Sequence, residues 1–422
     1  LSAIFLCGRP VAAADPEVMK EIMDISPEDT EFDHYTDEDG IQTYASPFTG
    51  NIEHLVIFVR FAGENEYITP AGIQNAEAVY NQGYHSLKEY LSRMSYGAVN
   101  ISTSYFPKNA SGAYCSVQLS KKADYFKMNR DGTIPEGYTN EGERKKREDE
   151  LIVEAVEAAK QQIEAADLEL DRNRDGCIDG ISFIVSTRNP SSENISHGDL
   201  LWAHKTSLSS GVNLSVNGSR VNTYNLVNRG TETGILGSYG SLSHTVRHEF
   251  LHTMSLPDLY RYSDTTVATL GPWDIMDKGN AANMTAYYQR EYLGFGDRLP
   301  VYTSSQKKIT LKTAQYKDPS EKYAVILKPA SHPNEYFVVE KREIEKDCGG
   351  SEYEGMEYIG QKNAGLLVYR IAADPKLNTS AASGNSQGPP DFIYAFRPGE
   401  SRANAGDGKI SHATVSPNNP EG

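Results

Sequence analysis

Residues 248 to 252 read His-Glu-Phe-Leu-His, and Asp258 follows them six residues later. On a helix, residues four positions apart lie on one face, so His248 and His252 can direct two imidazole nitrogens at one metal ion. Glu249 stands next to the first histidine, where its carboxylate can reach a water molecule at that ion. The spacing therefore predicts an active-site helix that carries two metal ligands and the general base Glu249.

Asp258 is the predicted third ligand. Proline is disfavoured inside a helix, so the helix should end before Pro257 and the chain can then turn back towards the histidines. Zinc accepts imidazole nitrogen and carboxylate oxygen, and three protein ligands leave one position open for water. Zinc lowers the pKa of that water to about 7. The pattern is typical of zinc peptidases; the alternative is a helix whose histidines are only solvated or hydrogen-bonded in a core.

A second candidate metal site precedes the helix, where residues 171 to 179 read Asp-Arg-Asn-Arg-Asp-Gly-Cys-Ile-Asp. Oxygen-bearing side chains stand at the first, third, fifth and ninth positions, and glycine at the sixth, as in a calcium loop. Position 12 is Ser182, so the bidentate glutamate of an EF-hand is missing, and an Asx-rich turn is the alternative. The predicted calcium ligands are Asp171, Asn173, Asp175, Asp179 and the backbone carbonyl of Cys177.

With these motifs, the chain resembles the immune inhibitor A-like secreted metallopeptidases, a branch of the metzincins. Members carry His-Glu-x-x-His-x-x-Gly-x-x-Asp, and the motif here runs from His248 to Asp258, with Ser255 where the family has glycine. The likeness covers most of residues 53–371. Its further segments are YLSRMSYGAV (90–99), residues 171–185, LWAH (201–204), PDLY (257–260), YFVVEKR (336–342) and GLLVYRI (365–371).

The resemblance implies a secreted zinc endopeptidase that hydrolyses peptide bonds of extracellular proteins. It implies an α/β fold, with a mixed twisted sheet and an active-site helix, followed by a β-rich C-terminal region. Residues 271–276 are similar to the methionine turn of metzincins, which would place Met276 under the zinc. Tyr287 and Tyr288, after this turn, are candidate hydrogen-bond donors to the developing oxyanion.

Composition and the chain ends restrict partners and location. The net charge of −16 argues against nucleic-acid binding, which needs a basic surface, and no stretch is long and apolar enough to span a membrane. Residues 1–14 resemble the remnant of a signal peptide, cleaved near Ala14, which predicts a secreted or cell-surface protein. A lipid anchor at Cys7 is the alternative. Cleavage would leave three cysteines, so one disulfide at most is expected.

The predicted organisation has three parts after the signal remnant. Residues 15–50 form a propeptide or flexible lead-in, 51–299 the catalytic domain, and 300–422 the β-rich region. Predicted helices cover 74–95 and 143–166, and predicted strands precede residue 190 at 55–61, 99–104 and 181–186. Further strands are predicted at 308–313, 323–328, 336–342 and 365–371.

Two other functions remain open from the sequence. One is an inactive protein that keeps the peptidase fold for binding or adhesion, which Ser255 favours and the intact Glu249 opposes. The other is a calcium-dependent adhesion module whose histidines are incidental. Protein or peptide substrates are expected only for the peptidase.

Overall fold

The computed structural model describes residues 34–36, 42–44, 46, 48–188, 193, 195–229, 239–264, 266–277, 283–304, 308–312, 317–331, 334–342, 365–372, 381–397, 410 and 413–415. The signal remnant (1–14) and most of the lead-in (15–50) lie outside these residues, and the domain boundaries stay a prediction. None of the described helices has the length and apolar character needed to cross a membrane.

The first part of the chain is built on a mixed sheet. The described residues of this part form ten strands, six of them in the main sheet. In chain order they are β1 His34–Thr36, β2 Gln42–Tyr44, β3 Gly50–Arg60, β4 Val99–Phe106, β5 Val117–Gln118, β6 Ile181–Val185, β7 His204–Ser207, β8 Ser215–Val216, β9 Ser219–Arg220 and β10 Thr223–Asn228. The main sheet has the order β4-β3-β6-β10-β7, with β5 beside the end of β3. All its pairs are parallel except that β7 runs antiparallel to β10. β1 pairs with β2, and β8 with β9, as separate antiparallel ribbons.

Strand β3 lies inside the sheet and is buried on both faces. Its side chains alternate between two apolar clusters: Ile52 and Val56 point into one, and Leu55 and Ile57 into the other. This follows from the two-residue period of a strand, and a continuous apolar run such as LVIFVRF is what a doubly covered parallel strand requires. The sequence-based strand at 55–61 is confirmed, and it begins five residues earlier.

Helices cover both faces of this sheet: α1 Pro70–Tyr80, α2 Leu87–Met94, α3 Glu141–Ala165 and α4 Tyr239–Thr253. Helix α4 contacts α1, α2, β7 and β10, whereas α3 packs on β3 and β5 from the opposite side. The prediction of α3 is confirmed. The prediction of one helix at 74–95 is wrong, because Gly83 at φ 85° breaks it and Ser86 caps a new helix by accepting from Glu89 N.

The C-terminal part forms a second sheet from β11 Val301–Tyr302, β12 Ala324–Leu327, β13 Glu335–Arg342, β14 Gly365–Ala372, β15 Ile393–Ala395 and β16 Thr414–Val415. The order is β11-β12-β13-β14-β15, with β16 on β14, and every pair except β11 with β12 is antiparallel. The β-rich prediction is confirmed. The prediction of a strand at 308–313 is wrong over the described residues 308–312, where the chain is irregular. Lys312 N donates to the Lys322 carbonyl there, but this bond is not part of a sheet.

The second sheet packs against the α4 side of the first. One apolar cluster contains Phe250 of α4 together with Val338 and Tyr369 of the second sheet. At its edge the buried Arg342 lies 3.0 Å from a Glu340 carboxylate oxygen and donates to the Trp273 carbonyl at 3.1 Å. The C-terminal sheet therefore supports both the helix and the segment that follows it.

Candidate metal centre

Helix α4 presents His248, Glu249 and His252 on the side away from its apolar contacts. Phe250 and Leu251 are fully buried in the core, which fixes the rotation of the helix about its axis. His248 and Glu249 are buried as well, whereas His252 is half-buried. The amphipathic pattern of this single turn therefore decides which side chains face the candidate site.

Three donor atoms converge beside the helix. His248 Nε2 lies 3.1 Å from His252 Nε2 and 3.1 Å from Asp258 Oδ1, and His252 Nε2 lies 3.4 Å from that oxygen. Within the described residues, these three side chains are the group of histidines, cysteines and carboxylates whose ligand atoms could hold a metal ion. The structure thus brings together the three predicted ligands.

Each histidine is oriented by a backbone carbonyl. His248 Nδ1 lies 3.0 Å from the Ile275 oxygen, and His252 Nδ1 lies 2.6 Å from the Leu256 oxygen. A carbonyl can only accept, so Nδ1 carries the hydrogen in both rings. In the neutral rings, Nε2 is then left with its lone pair directed at the other donors, as metal-binding histidines require.

This arrangement requires positive charge among the three donors. Asp258 Oδ1 is buried and accepts no well-formed hydrogen bond, although both Nε2 atoms lie nearby. Burial acts to lower the pKa of His248, but contact with Asp258 raises it to about 9. Burial also opposes ionisation of Asp258, and His252 and His248 nevertheless hold its pKa well below the usual range. A metal cation could supply the charge that the donors otherwise obtain from a proton.

The chain reaches Asp258 through a left-handed turn at Ser255. Helix α4 ends at Thr253, and Leu256 N then donates to the Leu251 carbonyl at 3.1 Å, which closes the end of the helix. Ser255 has φ 65°, a conformation that favours glycine. The predicted reversal before Pro257 is confirmed, and the serine at position 255 adopts the conformation that it needs.

Two tyrosines that were not among the predicted site residues lie beside the three donors. Tyr262 Oη donates to Asp258 Oδ2 at 2.6 Å, which leaves Oδ1 for the histidines. The Tyr260 ring lies over His248 with centroids 6.5 Å apart. Burial, with the charges of Asp258 and Glu249, raises the pKa of Tyr260 far above its ordinary value, so this hydroxyl stays protonated. They follow Asp258 by two and four residues, but the motif alone does not distinguish such tyrosines from tyrosines in the core.

Glu249 is close to the three donors but is not one of them. Its negative charge contributes to the raised pKa of His248 and to that of Tyr260. No hydrogen bond occupies its carboxylate within the part of the chain that the structure describes. A buried carboxylate beside a metal-binding group, with its oxygens free, can accept a proton from water.

The segment 271–276 contacts the site through two backbone carbonyls. Leu259 N donates to the Met276 carbonyl at 2.8 Å, and the Ile275 carbonyl orients His248. Met276 is fully buried in the apolar cluster that contains Phe250 and Leu259. The contacts of this segment with the site thus run through its backbone, and the role of Met276 under the metal stays a prediction.

The candidate oxyanion donors Tyr287 and Tyr288 lie in an aromatic cluster under the C-terminal sheet. Tyr287 packs against Tyr336 and Phe392, with ring centroids 6.5 and 5.7 Å away. Tyr288 Oη donates to the Ala381 carbonyl at 3.3 Å. The role assigned to them stays a prediction, whereas Tyr260 and Tyr262 are the tyrosines next to the ligand set.

The predicted calcium loop forms a compact turn before β6. Asp171 Oδ2 accepts a hydrogen bond from Gly176 N at 2.9 Å, and Asp179 Oδ2 accepts one from Arg172 N at 2.8 Å. Such bonds are typical of an Asx-rich turn. The Oδ1 atoms of both residues are buried and have no hydrogen-bond partner. Burial, then the charges of Asp175 and Asp171, raise the pKa of Asp179 to about 7. The loop therefore concentrates negative charge, and calcium stays a prediction.

The two described cysteines are free thiols. Cys177 is buried in the loop, and burial raises the pKa of its thiol to about 12. Its backbone carbonyl stays a predicted calcium ligand.

Comparisons with known proteins add little to this geometry. No protein-family model matches the chain, and no curated protein matches it. Among solved structures, one crystal form of wild-type OgpA from Akkermansia muciniphila gives a TM-score of 0.29 at 14% identity, covering 73% of this chain and 75% of that chain. A second crystal form gives 0.28 at 13% identity, covering 80% and 93%. Scores this low do not establish a common fold.

Proposed function

We propose that this chain is a zinc-dependent peptidase that hydrolyses peptide bonds of protein or peptide substrates. The observation that carries the proposal is the spacing of three donor atoms, 3.1, 3.1 and 3.4 Å apart. Donors placed tetrahedrally at about 2.0–2.1 Å from zinc lie roughly 3.3 Å from one another. Calcium needs six or more oxygen ligands at longer distances, so two imidazoles and one carboxylate favour zinc.

The residues divide the chemistry among them. His248, His252 and Asp258 would hold the ion, and their backbone and tyrosine partners keep them in place. When bound, zinc would polarise the substrate carbonyl and acidify water. Glu249 takes the proton of the attacking water on its carboxylate and passes it to the leaving amine. Tyr260, held protonated, is a hydroxyl donor beside the site that is suited to an oxyanion.

We also propose that the protein is secreted or displayed at the cell surface and that it binds calcium. Secretion or display at the cell surface is supported by the signal-like residues 1–14, and calcium by the carboxylates of residues 171–179. The alternative function is an inactive protein with the same fold that binds or adheres.

Metal analysis combined with proteolysis tests the proposal. We expect about one zinc per chain in both the parent and Glu249→Gln, because Glu249 is not a ligand. Hydrolysis of labelled casein and of a broad peptide library should fall ~10²–10⁴-fold in the variant. Zinc without hydrolysis by the parent would support the binding protein. Absence of stoichiometric zinc from the parent would contradict the metal centre itself.

A further inference from the structure

The loop that carries Asp258 is held from outside by a distant part of the chain, residues 381–397. Asn385 N donates to the backbone carbonyl of Asp258 at 3.0 Å, and Tyr262 N donates to the Ser386 carbonyl at 3.2 Å. These bonds hold the main chain at Asp258 and four residues after it. They join residues more than a hundred positions apart, so local sequence does not provide for them.

Asn385 is the centre of this contact. It is fully buried, and its side-chain amide donates to the Leu259 carbonyl at 3.0 Å, to Thr269 Oγ1 at 2.9 Å and to the Ile393 carbonyl at 2.8 Å. Its Oδ1 accepts from Ile393 N at 3.0 Å. A buried amide with all its groups paired fixes geometry, because any displacement leaves a polar group unsatisfied. Asn385 therefore ties Leu259, next to the ligand, to strand β15.

Gly384 permits the close approach. It has φ 54°, and a Cβ built on it would come within 2.3 Å of the Asp258 carbonyl oxygen and 2.9 Å of Pro257 Cγ. An alanine here would therefore displace the main chain at Asp258. Only glycine fits here, for reasons of both space and conformation.

A buried ion pair closes the arrangement on the far side. Arg261 Nε and Nη2 each lie 2.7 Å from an Asp391 carboxylate oxygen, in the paired geometry that arginine and carboxylate favour. Both side chains are nearly inaccessible to solvent. The two-point contact thus fixes both the separation and the relative orientation of Arg261, which follows Asp258, and Asp391, which follows Asn385.

We propose that residues 381–397 are part of the metal centre, and that Asn385 and Gly384 are positioning residues that set where the Asp258 carboxylate stands. This rests on the proposed function. The C-terminal region then acts as more than an appended sheet: zinc affinity depends on how this segment docks, and a chain cut before it would keep both histidines but lose the third ligand's position.

Substitutions in the segment should weaken zinc binding beyond any effect on folding. Removing an outer partner of a metal ligand costs about 10–100-fold in affinity. Gly384→Ala would push on the Asp258 carbonyl. Asn385→Ala keeps the N–H that donates to this carbonyl but removes the side-chain bonds that hold the neighbouring Leu259. We expect a loss of that size for both variants, measured by competition with a chromophoric chelator well below the melting temperature. We also expect an altered visible absorption spectrum of the cobalt-substituted protein, which responds to the position of a ligand oxygen.

Matched controls separate positioning from stability. Gly112 has φ 82°, and a Cβ added there would meet no other atom within 4 Å, so Gly112→Ala introduces similar backbone strain away from the site. Asn81 pairs with the Thr103 main chain through both its side-chain groups, so Asn81→Ala removes a comparable amide network. Both controls should bind zinc within about twofold of the parent, because neither touches a partner of a metal ligand. Their cobalt spectra should be unchanged.

The outcomes distinguish this inference from the proposed function. Parental zinc affinity and cobalt spectrum in both Gly384→Ala and Asn385→Ala would overturn the positioning role while leaving the metal centre intact. An equal loss in the control variants would overturn it too, since stability alone would then explain the effect. No zinc binding by the parent would instead refute the metal centre on which both rest.

Discussion

The Tyr262 hydroxyl donates to Asp258 Oδ2 at 2.6 Å, whereas the other oxygen of the same carboxylate faces His248 and His252. One oxygen of the carboxylate is therefore hydrogen-bonded to the tyrosine, and the other faces the two histidines. Tyr262 is 46% exposed, so it contributes little to the core and its removal should not unfold the protein. We expect Tyr262→Phe to weaken zinc binding about 10–100-fold, with a change in melting temperature of a few degrees at most.

A tyrosine–carboxylate pair elsewhere in the chain provides the control for this prediction. Tyr125 Oη donates to Glu150 Oε2 at 2.8 Å on the α3 side of the sheet. Tyr125→Phe removes a hydrogen bond of the same kind and should leave the zinc dissociation constant unchanged. If Tyr262→Phe binds zinc as the parent does, Asp258 does not depend on this bond for its orientation.

Ser255→Gly is predicted to leave the protein as stable as the parent or slightly more so. The left-handed conformation costs serine about 1–2 kcal/mol, and glycine adopts it freely. The greater freedom of glycine in the unfolded chain offsets part of that gain, so the net change should be under about 1 kcal/mol. Chemical denaturation of the two proteins measures it. Destabilisation larger than this would mean that the serine side chain makes a contact worth more than the strain.

The sequence allowed the convergence of the three candidate ligands to be predicted because it depends on local rules. The helical period places His248 and His252 on one face, and Pro257 ends the helix, so Asp258 could be assigned as the third ligand. Asn385 could not be predicted, because its contact with Asp258 joins segments that only the packing of two sheets brings together. Tyr262 lay within reach of the sequence, but nothing in the motif distinguishes a tyrosine at the site from one in the core.

Calcium is predicted to stabilise the protein, and more so at higher pH. The pKa of Asp179 is raised to about 7, so below that pH a proton competes with the cation for this carboxylate. In the metal-free protein, ionisation of Asp179 is disfavoured by burial and by its neighbours, and the bound cation reverses this. We expect the calcium-induced rise in melting temperature to be larger at about pH 8 than at about pH 5.5 by mass action.

Two aspartate substitutions make this measurement specific. Asp179→Asn can still accept from Arg172 N but removes the charge, and it should abolish most of the calcium effect. Asp131→Asn removes a charge from another turn, where Asp131 Oδ1 accepts from Thr133 N at 3.0 Å, and it should preserve the effect. Equal responses of the parent and Asp179→Asn to calcium would rule out the loop as the binding site.

A buried pair on the other side of the sheet should make stability depend on pH. His204 Nε2 lies 2.7 Å from Glu148 Oε1, and His204 Nδ1 lies 2.6 Å from the Trp202 carbonyl. Both nitrogens thus face acceptors, which favours the protonated ring. Burial alone would lower the pKa of His204, but Glu148 raises it above the ordinary value. Burial likewise opposes ionisation of Glu148, whose pKa His204 nevertheless lowers to about 2.

The sign of the effect follows from these directions. A histidine with a raised folded pKa contributes its full stabilisation below the unfolded value of about 6.5 and loses it as pH rises through the folded value. Because Glu148 stays ionised down to about pH 2, it does not titrate in that window. His204→Gln should cost about 3 kcal/mol or more at about pH 6. In a double-mutant cycle with Glu148→Gln, measured by denaturation at each pH, the coupling energy should shrink as pH rises above the unfolded value and through the raised folded value. A coupling that stays constant over this range would mean that the ring is neutral when folded and that the pair is a plain hydrogen bond.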